Sequence, residues 1–282
     1  PPAIGGMEEH VYQISLELSK RGHRVSIITS NDVDGKTYAY TEEVVREMQV
    51  YRYPLFMPKI SREFWLIPDI LRAFQRLEAD VVHAHGYRCL SSLTAICLAH
   101  MKRIPTVFTA HGIYPRRSFA NMLIKSLFDR TFGRLLLRLS NRIIALTEHN
   151  RGLLLQMGAS AEKIVFVPNG VNFHEYANLQ RNEKVLNDLC TDGPVLLYVG
   201  RIDWNKQLEK VICSMPLILK AFPYAKFVIV GPDYANYARN LLNLGDKLGV
   251  RDSVVITGEV SRQRLLEFYS IADIFLLPSS YE

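Results

Sequence analysis

Short apolar runs rich in β-branched residues alternate along the chain with longer segments of helical period. Five such runs precede residue 171, namely RVSIITS, ADVVHAHG, IPTVFTAHG, NRIIALT and KIVFVPNG. Four more follow, namely PVLLYVG, AKFVIVG, DSVVIT and ADIFLLP. This alternation is typical of parallel sheets that are covered by helices on both faces. The pattern therefore predicts an α/β fold.

Helices are predicted between these strands. Near the start, Met7, Val11, Ile14 and Leu18 recur at helical spacing and mark one face of a helix, and Gly22 suits the left-handed position that ends it. In the second half, helices are predicted over residues 206–222, 234–248 and 262–270.

The polar stretch 178–192 has no strand character and separates the two series. We predict two tandem Rossmann-like, doubly wound parallel-sheet domains, residues 1–174 and 175–282, that face each other across a cleft. The length of 282 residues also favours two domains of about 150 residues each. Because the chain starts at Pro1 without a methionine and stops at Glu282, we expect the first strand and the C-terminal part of the second domain to be missing.

The charge and composition of the chain indicate which classes of ligand and which cellular compartment are favoured. The net charge of +6 and the pI near 9.1 favour anionic ligands such as phosphates, acidic lipid surfaces or nucleic acid. No apolar run approaches the roughly 18 residues that cross a bilayer. Four cysteines without metal or redox spacing are typical of reduced thiols, which favours a cytoplasmic protein. They are Cys89, Cys97, Cys190 and Cys213.

Two glycines, Gly5 and Gly6, directly precede the first predicted helix. Glycines at this position let the backbone and the positive end of the helix dipole approach a phosphate or a sugar. The alternative is a tight turn without a ligand. The stretch is not a dinucleotide-binding fingerprint, because the pattern G-x-G-x-x-G is absent.

A pair of cations follows the first strand of the second series. In YVGRIDWNK, Arg201 lies in the loop after the strand, and Lys206 lies at the start of the next helix. A guanidinium and an ammonium beside a helix N-terminus form a plausible site for a diphosphate. The alternative is two solvated cations on a loop.

Histidines end two neighbouring strands of the first domain. His83 and His85 share one strand face, and His111 follows the next strand. The alternative is a three-histidine metal site, but no nearby acid completes it, so we expect no metal. A polar or catalytic role is favoured for His111, with the other two as satisfied strand histidines.

Cations and apolar residues interleave over residues 116–142. The cations are Arg116, Arg117, Lys125, Arg130, Arg134, Arg138 and Arg142, and the apolar residues are Phe119, Leu123, Leu127, Phe128, Phe132, Leu135 and Leu139. The favoured interpretation is a core-facing helix with a solvated basic side. The alternative is a helix that lies on an anionic membrane or meets a lipid-linked acceptor.

The chain closes on DIFLLPSSYE, in which a strand leads through a polar loop to Glu282. Loops beyond strand ends often carry ligand sites, whereas the other interpretation is a plain surface turn.

Seven stretches in succession resemble family 4 of the retaining glycosyltransferases, which have the GT-B fold. They are GGMEEHVYQISLELSKRGHRVSIIT, VVHAHG, TAHG, VPNGVN, GRIDWNK, VIVG and VVITGEVSRQRLLEFYSIADIFLLPSSYE. The resemblance implies retaining transfer of a sugar from a nucleotide-diphospho-sugar to a saccharide or lipid-linked acceptor. It also implies an enzyme near the cytosolic membrane face, without a metal or other cofactor and without a nucleic-acid partner.

The resemblance also assigns roles to residues. Arg201 and Lys206 would hold the diphosphate, Gly5 and Gly6 would approach it, and His111 would lie by the donor sugar. The backbone from Gly258 to Val260 would meet the base. Glu282 matches the first acid of an E-x7-E signature and would bind sugar hydroxyls.

Two departures from the family pattern stand out. The second acid of the signature falls beyond Glu282, which leaves the activity of this stretch alone open, and Gln207 replaces a common glycine. A nucleotide-sugar epimerase or phosphorylase of the same fold is the runner-up. A basic nucleic-acid-binding protein is the alternative of a different class, although no aromatic ladder or known module supports it.

Overall fold

A computed structural model describes residues 5–33, 36–37, 42–56, 64, 66–112, 119–233 and 236–280. The chain forms two compact units, Pro1–Gly170 and Val171–Glu282. The division follows Gly170, whereas the predicted boundary follows residue 174. Each unit has its own core.

The first unit contains parallel strands covered by helices. Its strands are β1 (Ser26–Ser30), β2 (Asp32–Val33), β3 (Lys36–Thr37), β4 (Glu42–Val45), β5 (Met48–Tyr53), β6 (Val82–His85), β7 (Thr106–Thr109), β8 (Arg142–Ala145) and β9 (Ile164–Phe166). Its helices are α1 (Gly6–Lys20), α2 (Ile70–Arg76), α3 (Leu90–Met101), α4 (Phe119–Phe128), α5 (Arg134–Leu139) and α6 (Glu148–Gln156). A π-helical turn, Asp129–Gly133, joins α4 to α5, and a 3-10 turn, Ala161–Lys163, precedes β9.

Strands β6, β7, β8 and β9 form one parallel sheet in chain order. Strand β1 pairs in parallel with β5, and β4 pairs antiparallel with β5. A third pair, β2 with β3, is an antiparallel hairpin. The five strands predicted before residue 171 are confirmed as β1, β6, β7, β8 and β9.

The β4–β5 hairpin was not predicted. Its turn residues Arg46 and Glu47 both have positive φ, 44° and 70°, which normally calls for Asn or Gly. On β5, Met48, Val50 and Arg52 face inward, and the Arg52 Nε donates to the Glu43 carboxylate at 3.0 Å. The sequence pattern did not indicate the hairpin, because a cation occupies a buried position and the turn residues are atypical.

The core of the first unit forms where the parallel sheet packs against α3, α5 and α6. Phe108 and Ile143 on the sheet contact Ile96, Leu136 and Leu154 on those helices, and all five are fully buried. Burial of each such side chain contributes about 1.5–3 kcal/mol.

Helix α1 ends as predicted. Gly22 has φ 86°, and its amide donates to the Ser19 carbonyl at 2.9 Å. The His23 amide donates to the Leu18 carbonyl at 3.1 Å. This pair of bonds satisfies the last carbonyls of the helix and requires the left-handed residue that glycine supplies best.

The basic segment forms α4, the π-helical turn and α5. Phe128, Leu136 and Leu137 are buried, as a core-facing helix requires. That interpretation is wrong, however, for four of its apolar residues, which are exposed: Leu123, Leu127, Phe132 and Leu135.

Lys125 is buried instead, with 5% of its surface exposed. Nearby, Asp129 accepts from Arg88 through two hydrogen bonds of 3.1 and 3.3 Å. The turn Asp129–Gly133 widens the helix, which changes the side-chain spacing that a uniform helical period assumes.

The second unit is a doubly wound parallel sheet in the order β12-β11-β10-β13. Its strands are β10 (Val195–Val199), β11 (Lys226–Val230), β12 (Val254–Gly258) and β13 (Ile274–Phe275). Its helices are α7 (Phe173–Ala177), α8 (Glu183–Asp188), α9 (Leu208–Ala221), α10 (Ala238–Lys247) and α11 (Arg262–Ile271). The four strands and three longer helices predicted for this half are confirmed, with α9 and α10 starting later than expected.

Strand β11 shows why both faces are covered. Phe227 and Ile229 pack in the cluster formed with α9 and α10, whereas Val228 and Val230 pack in the cluster formed with α8 and α11. Because side chains alternate across a strand, a continuous apolar run must be buried on both sides.

Candidate functional site

Three glycines lie at the carboxyl ends of adjacent strands in the second unit. Gly200, Gly231 and Gly258 follow or end β10, β11 and β12, and their φ angles are 153°, 142° and 70°. A Cβ on Gly231 would collide with the Gly200 carbonyl, so the backbones approach as closely as glycine allows. Gly258 was predicted as a site residue from the sequence, whereas Gly200 and Gly231 were not, although both directly follow predicted strands.

Arg201 follows this row of glycines. The loop that carries it is anchored on both sides: the Tyr198 hydroxyl donates to the Arg201 carbonyl at 2.9 Å, and the Ile202 amide donates to the Pro232 carbonyl at 2.9 Å. The Arg201 side chain is exposed, and we find no hydrogen bond or ion pair for it with any residue that the structure describes. A fixed backbone thus presents a guanidinium to solvent at the strand ends.

Lys206 closes a 3-10 turn, Trp204–Lys206, immediately before α9. The next residue, Gln207, is in the left-handed conformation with φ 51° and ψ 36°, and α9 begins at the buried Leu208. This geometry explains why glycine is common here in the family that the sequence resembles. Gln207 adopts this conformation at a higher energetic cost than glycine would, and α9 still begins at Leu208.

The loop near the chain end packs against the same turn. The Ser280 amide and hydroxyl donate to the Asn205 carbonyl at 3.0 and 3.2 Å. The loop after β13 is therefore held beside the residue that precedes Lys206. Glu282 lies outside the described residues.

Gly258 and Val260 flank the loop between β12 and α11. The Gly258 carbonyl accepts from the Gly231 amide at 2.9 Å, and Val260 is half-buried against the cluster around Phe268. Ser261 caps α11 by accepting from the Arg264 amide at 3.2 Å. The loop therefore has a defined backbone conformation between two anchored ends.

In the first unit, histidines gather at the ends of β6 and β7. His83 and His85 share one face of β6, and their ring centroids are 4.0 Å apart. His83 Nε2 lies 2.8 Å from the Thr109 hydroxyl on β7, so His83 is a satisfied strand histidine, as predicted. His85 is bonded instead to His111, with 3.0 Å between His85 Nδ1 and His111 Nε2.

His111 lies two residues beyond β7 and has φ 53°, a conformation that costs energy for any residue except glycine. The Asn150 side-chain amide donates to its carbonyl at 3.3 Å. Burial lowers the pKa of His111 to about 4 and the pKa of His85 to about 2. Both imidazoles are therefore neutral at pH 7 and act as hydrogen-bonding groups without charge.

His10 also belongs to this cluster, and it was not predicted as a site residue from the sequence. It lies on α1, directly after the glycine loop, and its ring centroid is 4.9 Å from that of His111 and 5.7 Å from that of His85. A histidine on a helix has no periodic signal that marks it as functional. Only the packing of α1 against the sheet brings it to His111.

The glycine loop lies at the same end of the sheet. Gly5 precedes α1 in an extended conformation, and its carbonyl accepts from the Glu9 amide at 3.0 Å. A Cβ on Gly86, after β6, would be 3.7 Å from the Met7 sulfur, so the start of α1 adjoins the end of β6. Gly6 faces open space, which would admit a ligand.

The predicted site residues thus fall into two sets. Gly5, Gly6 and His111 lie at the strand ends of the first unit. Arg201, Lys206, Gly258 and Val260 lie at the strand ends of the second unit.

Two family models cover the chain. Residues 4–175 match Glycosyltransferase Family 4, and residues 180–282 match Glycosyl transferases group 1.

Curated relatives match over the whole chain. The alpha-monoglucosyldiacylglycerol synthase of Streptococcus pneumoniae is 25% identical over 291 residues. The GDP-mannose:cellobiosyl-diphosphopolyprenol alpha-mannosyltransferase of Xanthomonas oryzae is 26% identical over 287 residues. The match includes 100% of this chain in both cases, but it spans only 64% of the synthase and 70% of the mannosyltransferase.

Solved structures share the fold. HepE of Anabaena in complex with UDP superposes with a TM-score of 0.71 at 17% identity, covering 98% of this chain and 71% of HepE. Together with the two parallel-sheet units, this similarity identifies the fold as GT-B. The chain belongs to Glycosyltransferase Family 4.

Proposed function

We propose that the protein transfers a sugar from a nucleotide-diphospho-sugar to a hydroxyl group of a saccharide or lipid-linked acceptor. The observation that carries the proposal is the row of three glycine strand ends in the second unit, with Arg201 and Lys206 beside the start of α9. In open α/β sheets, ligands bind beyond the carboxyl ends of the strands. HepE, which shares this fold, binds UDP.

The chemistry requires stabilisation of a leaving group. Breaking the bond between the sugar and the phosphate leaves negative charge on the departing diphosphate. Arg201, Lys206 and the positive end of the α9 dipole supply opposite charge, so the reaction needs no metal ion or other cofactor.

Other residues position the donor. Gly5 and Gly6 approach the diphosphate, and neutral His111 exchanges a hydrogen bond with the donor sugar. Glu282 binds sugar hydroxyls from the loop that Ser280 holds beside Lys206. Because the Gly258 carbonyl already accepts from Gly231, base recognition falls mainly to the backbone of Glu259 and Val260.

The family assignment favours retention of the anomeric configuration. The acceptor hydroxyl would then attack from the face that the nucleotide leaves, and the departing phosphate would take its proton. Nuclear magnetic resonance of the product linkage tests this step. A product with inverted configuration would exclude retention and leave sugar transfer itself intact.

A membrane surface would bring a lipid-linked acceptor to the enzyme. The exposed apolar residues of α4, the π-helical turn and α5 alternate with exposed arginines, and we call this set the basic apolar face. It comprises Leu123, Leu127, Arg130, Phe132, Arg134, Leu135 and Arg138. Such a face suits an anionic bilayer, because apolar side chains enter the acyl boundary while cations bind phosphate.

A cavity of about 600 Å³ adjoins this face. Its lining includes Arg134, Arg138 and Lys163 together with Leu135, so it combines positive charge with an apolar wall. Of the two curated relatives described above, one is named for the synthesis of a glucosyldiacylglycerol and the other for transfer of mannose to a polyprenol-linked saccharide. We therefore place the enzyme at the cytosolic face of a membrane, in peripheral contact. We find no helix in the described residues that is long and apolar enough to cross a bilayer.

Donor binding tests the central proposal. Isothermal titration of the full-length protein with uridine, guanosine and adenosine diphosphates should reveal tight binding of one of them, and mass spectrometry should detect a glycosylated acceptor when the matching nucleotide-sugar is supplied. Lack of binding to any nucleoside diphosphate would contradict the proposal. Release of nucleotide without an acceptor product would favour an epimerase.

A further inference from the structure

Three imidazoles from separate parts of the first unit meet at one point. His10 comes from α1, His85 ends β6, and His111 follows β7. One ring nitrogen of each lies within 4.8 Å of those of the other two, and His85 Nδ1 lies 3.0 Å from His111 Nε2. Three elements that are distant in sequence must pack together to produce this arrangement.

One nitrogen of the His10 ring lacks a partner, although the His10 side chain is hydrogen-bonded to Asn169. His10 Nε2 is buried, and no residue that the structure describes gives it a hydrogen bond. An unpaired buried polar atom costs about 1–3 kcal/mol, so an additional ligand at this nitrogen would stabilise the cluster. A ring nitrogen of the same histidine belongs to the group formed with the nitrogens of His85 and His111.

The spacing of the nitrogens suits a tetrahedral ion. Ligand nitrogens about 2.0–2.1 Å from Zn²⁺ lie about 3.3–3.4 Å from one another. The 3.0 Å between His85 Nδ1 and His111 Nε2 and the upper bound of 4.8 Å for the three rings lie on either side of that value. We propose that His10, His85 and His111 bind a divalent transition-metal ion of the Zn²⁺ class, and that the bound ion inhibits the enzyme.

The ligand set selects the class of ion. Neutral imidazoles suit Zn²⁺, Co²⁺, Ni²⁺ and Cu²⁺, whereas Mg²⁺, Ca²⁺ and Mn²⁺ prefer oxygen ligands. A histidine binds a metal ion through the lone pair of a neutral imidazole. His83 remains outside the set, because its Nε2 is bonded to the Thr109 hydroxyl.

Metal binding replaces the hydrogen bond between His85 and His111. That bond contains one proton, which either His85 Nδ1 or His111 Nε2 donates. When the metal binds both nitrogens, the donating ring moves its proton to its other nitrogen. Both rings stay neutral and no net proton is released.

Inhibition follows from the role proposed for His111, and this part of the inference rests on the proposed function. A ring that coordinates a metal ion can no longer exchange a hydrogen bond with the donor sugar. Three protein ligands also leave the fourth position of the ion open to water or a ligand oxygen. The ion would therefore occupy the strand ends where the donor is expected.

Binding is tested without any activity measurement. Full-length protein treated with a chelator and then dialysed is titrated with Co²⁺, whose visible absorption reports tetrahedral coordination, and Zn²⁺ is then added in competition. We expect one ion per chain. We also expect that His10→Gln and His111→Asn each weaken binding by at least about tenfold, since even outer-shell changes cost that much.

The matched control is His149→Gln, an exposed histidine on α6 of the same unit. It should bind Co²⁺ as the wild type does, and circular dichroism should show that all variants are folded. Unchanged affinity in folded His10→Gln, or no tetrahedral Co²⁺ signal in the wild type, would overturn the metal site.

An activity assay then tests inhibition. Zn²⁺ should lower the initial rate of sugar transfer at the concentration that fills the site, and a chelator should restore it. Zn²⁺ binding without inhibition would overturn the inhibitory part and the role of His111 in donor binding. Absence of Zn²⁺ binding would leave the proposed transferase function untouched.

Discussion

At the scale of single residues, the candidate donor site depends on backbone conformations that side chains resist. Gly200, Gly231 and Gly258 end three adjacent strands with positive φ, and Gln207 occupies the left-handed position before α9. Only glycine adopts such conformations freely. The backbone at these positions is therefore held in conformations that restrict which residues can occupy them.

Removal of either proposed diphosphate cation should slow sugar transfer. Arg201→Ala or Lys206→Ala in the full-length protein should lower kcat by about 10²–10³, because each removes a charge that stabilises the leaving group. Steady-state kinetics at saturating donor measure the change. Lys220→Ala is the control, since this exposed lysine lies in the last turn of α9, at the opposite end of the helix from Lys206, and its rate should be unchanged. A near-normal rate in both test variants would remove these cations from the mechanism.

Gln207 offers a test of backbone strain. Gln207→Val should lower the free energy of unfolding by about 1–2 kcal/mol, because a β-branched residue fits the left-handed region poorly. Gln207→Gly should be neutral or slightly stabilising, since relief of strain offsets the greater freedom of the unfolded chain. Urea unfolding followed by circular dichroism measures both. Equal stability of the Val and Gly variants would show that position 207 is not restrained.

At the scale of elements, the segment from α4 to α5 differs most from its prediction. A uniform helical period placed all its apolar residues toward the core, but Leu123 and Leu127 of α4 are 57% and 65% exposed. The π-helical turn that follows α4 interrupts the period before α5. Asp129, which begins the turn, is held by Arg88 from the loop before α3. Long-range pairing therefore contributes to setting which side of this segment faces solvent.

Membrane binding should depend on these exposed side chains. The double variant Leu123→Ser and Leu127→Ser should co-sediment less with anionic vesicles, because both side chains would no longer enter the acyl boundary. Its thermal stability should change by less than about 0.5 kcal/mol per substitution, since neither residue packs in the core.

A matched control tests the location of the contact. Leu217→Ser changes a leucine that is 72% exposed on α9 of the second unit, and vesicle binding should not respond. High salt should weaken the binding of the wild type, since cations contribute to it. Equal co-sedimentation of the double variant and the wild type would exclude the basic apolar face as the contact.

At the scale of the whole molecule, each unit places its candidate residues at the carboxyl ends of its parallel strands. In the first unit, His83, His85 and His111 are packed together, and burial lowers the pKa of His83 to about 4. Such a cluster resists protonation only while the unit is folded. It therefore links the stability of the fold to pH.

The first unit should lose stability in mild acid. Between pH 6.5 and 4 the unfolded chain binds protons at these histidines and the folded unit does not, so stability is complete above pH 6.5 and falls as pH decreases. Each histidine contributes at most about 1.4 kcal/mol per pH unit in this window. Urea unfolding at a series of pH values should show a shallower dependence for His83→Asn than for the wild type.

His100→Asn serves as the control, because this histidine is exposed on α3 and outside the cluster. Its pH dependence should equal that of the wild type. The same slope in His83→Asn would contradict the linkage.

The α/β class, most strands and helices, the end of α1 at Gly22 and the motifs of the family could all be predicted from the order of residues alone. These features follow from local rules, since the spacing of apolar residues and the position of glycine act within a few residues. For the same reason Arg201, Lys206 and Gly258 could be named as candidates before the fold was known.

Contacts between residues that are distant in sequence could be read only from the tertiary structure. It brought His10 to His85 and His111, placed Gly200 against Gly231, and exposed Leu123 and Leu127 while it buried Lys125. It also formed the β4–β5 hairpin around a buried arginine. A periodic pattern determines which residues share a face, but contacts between distant parts of the chain determine what covers that face.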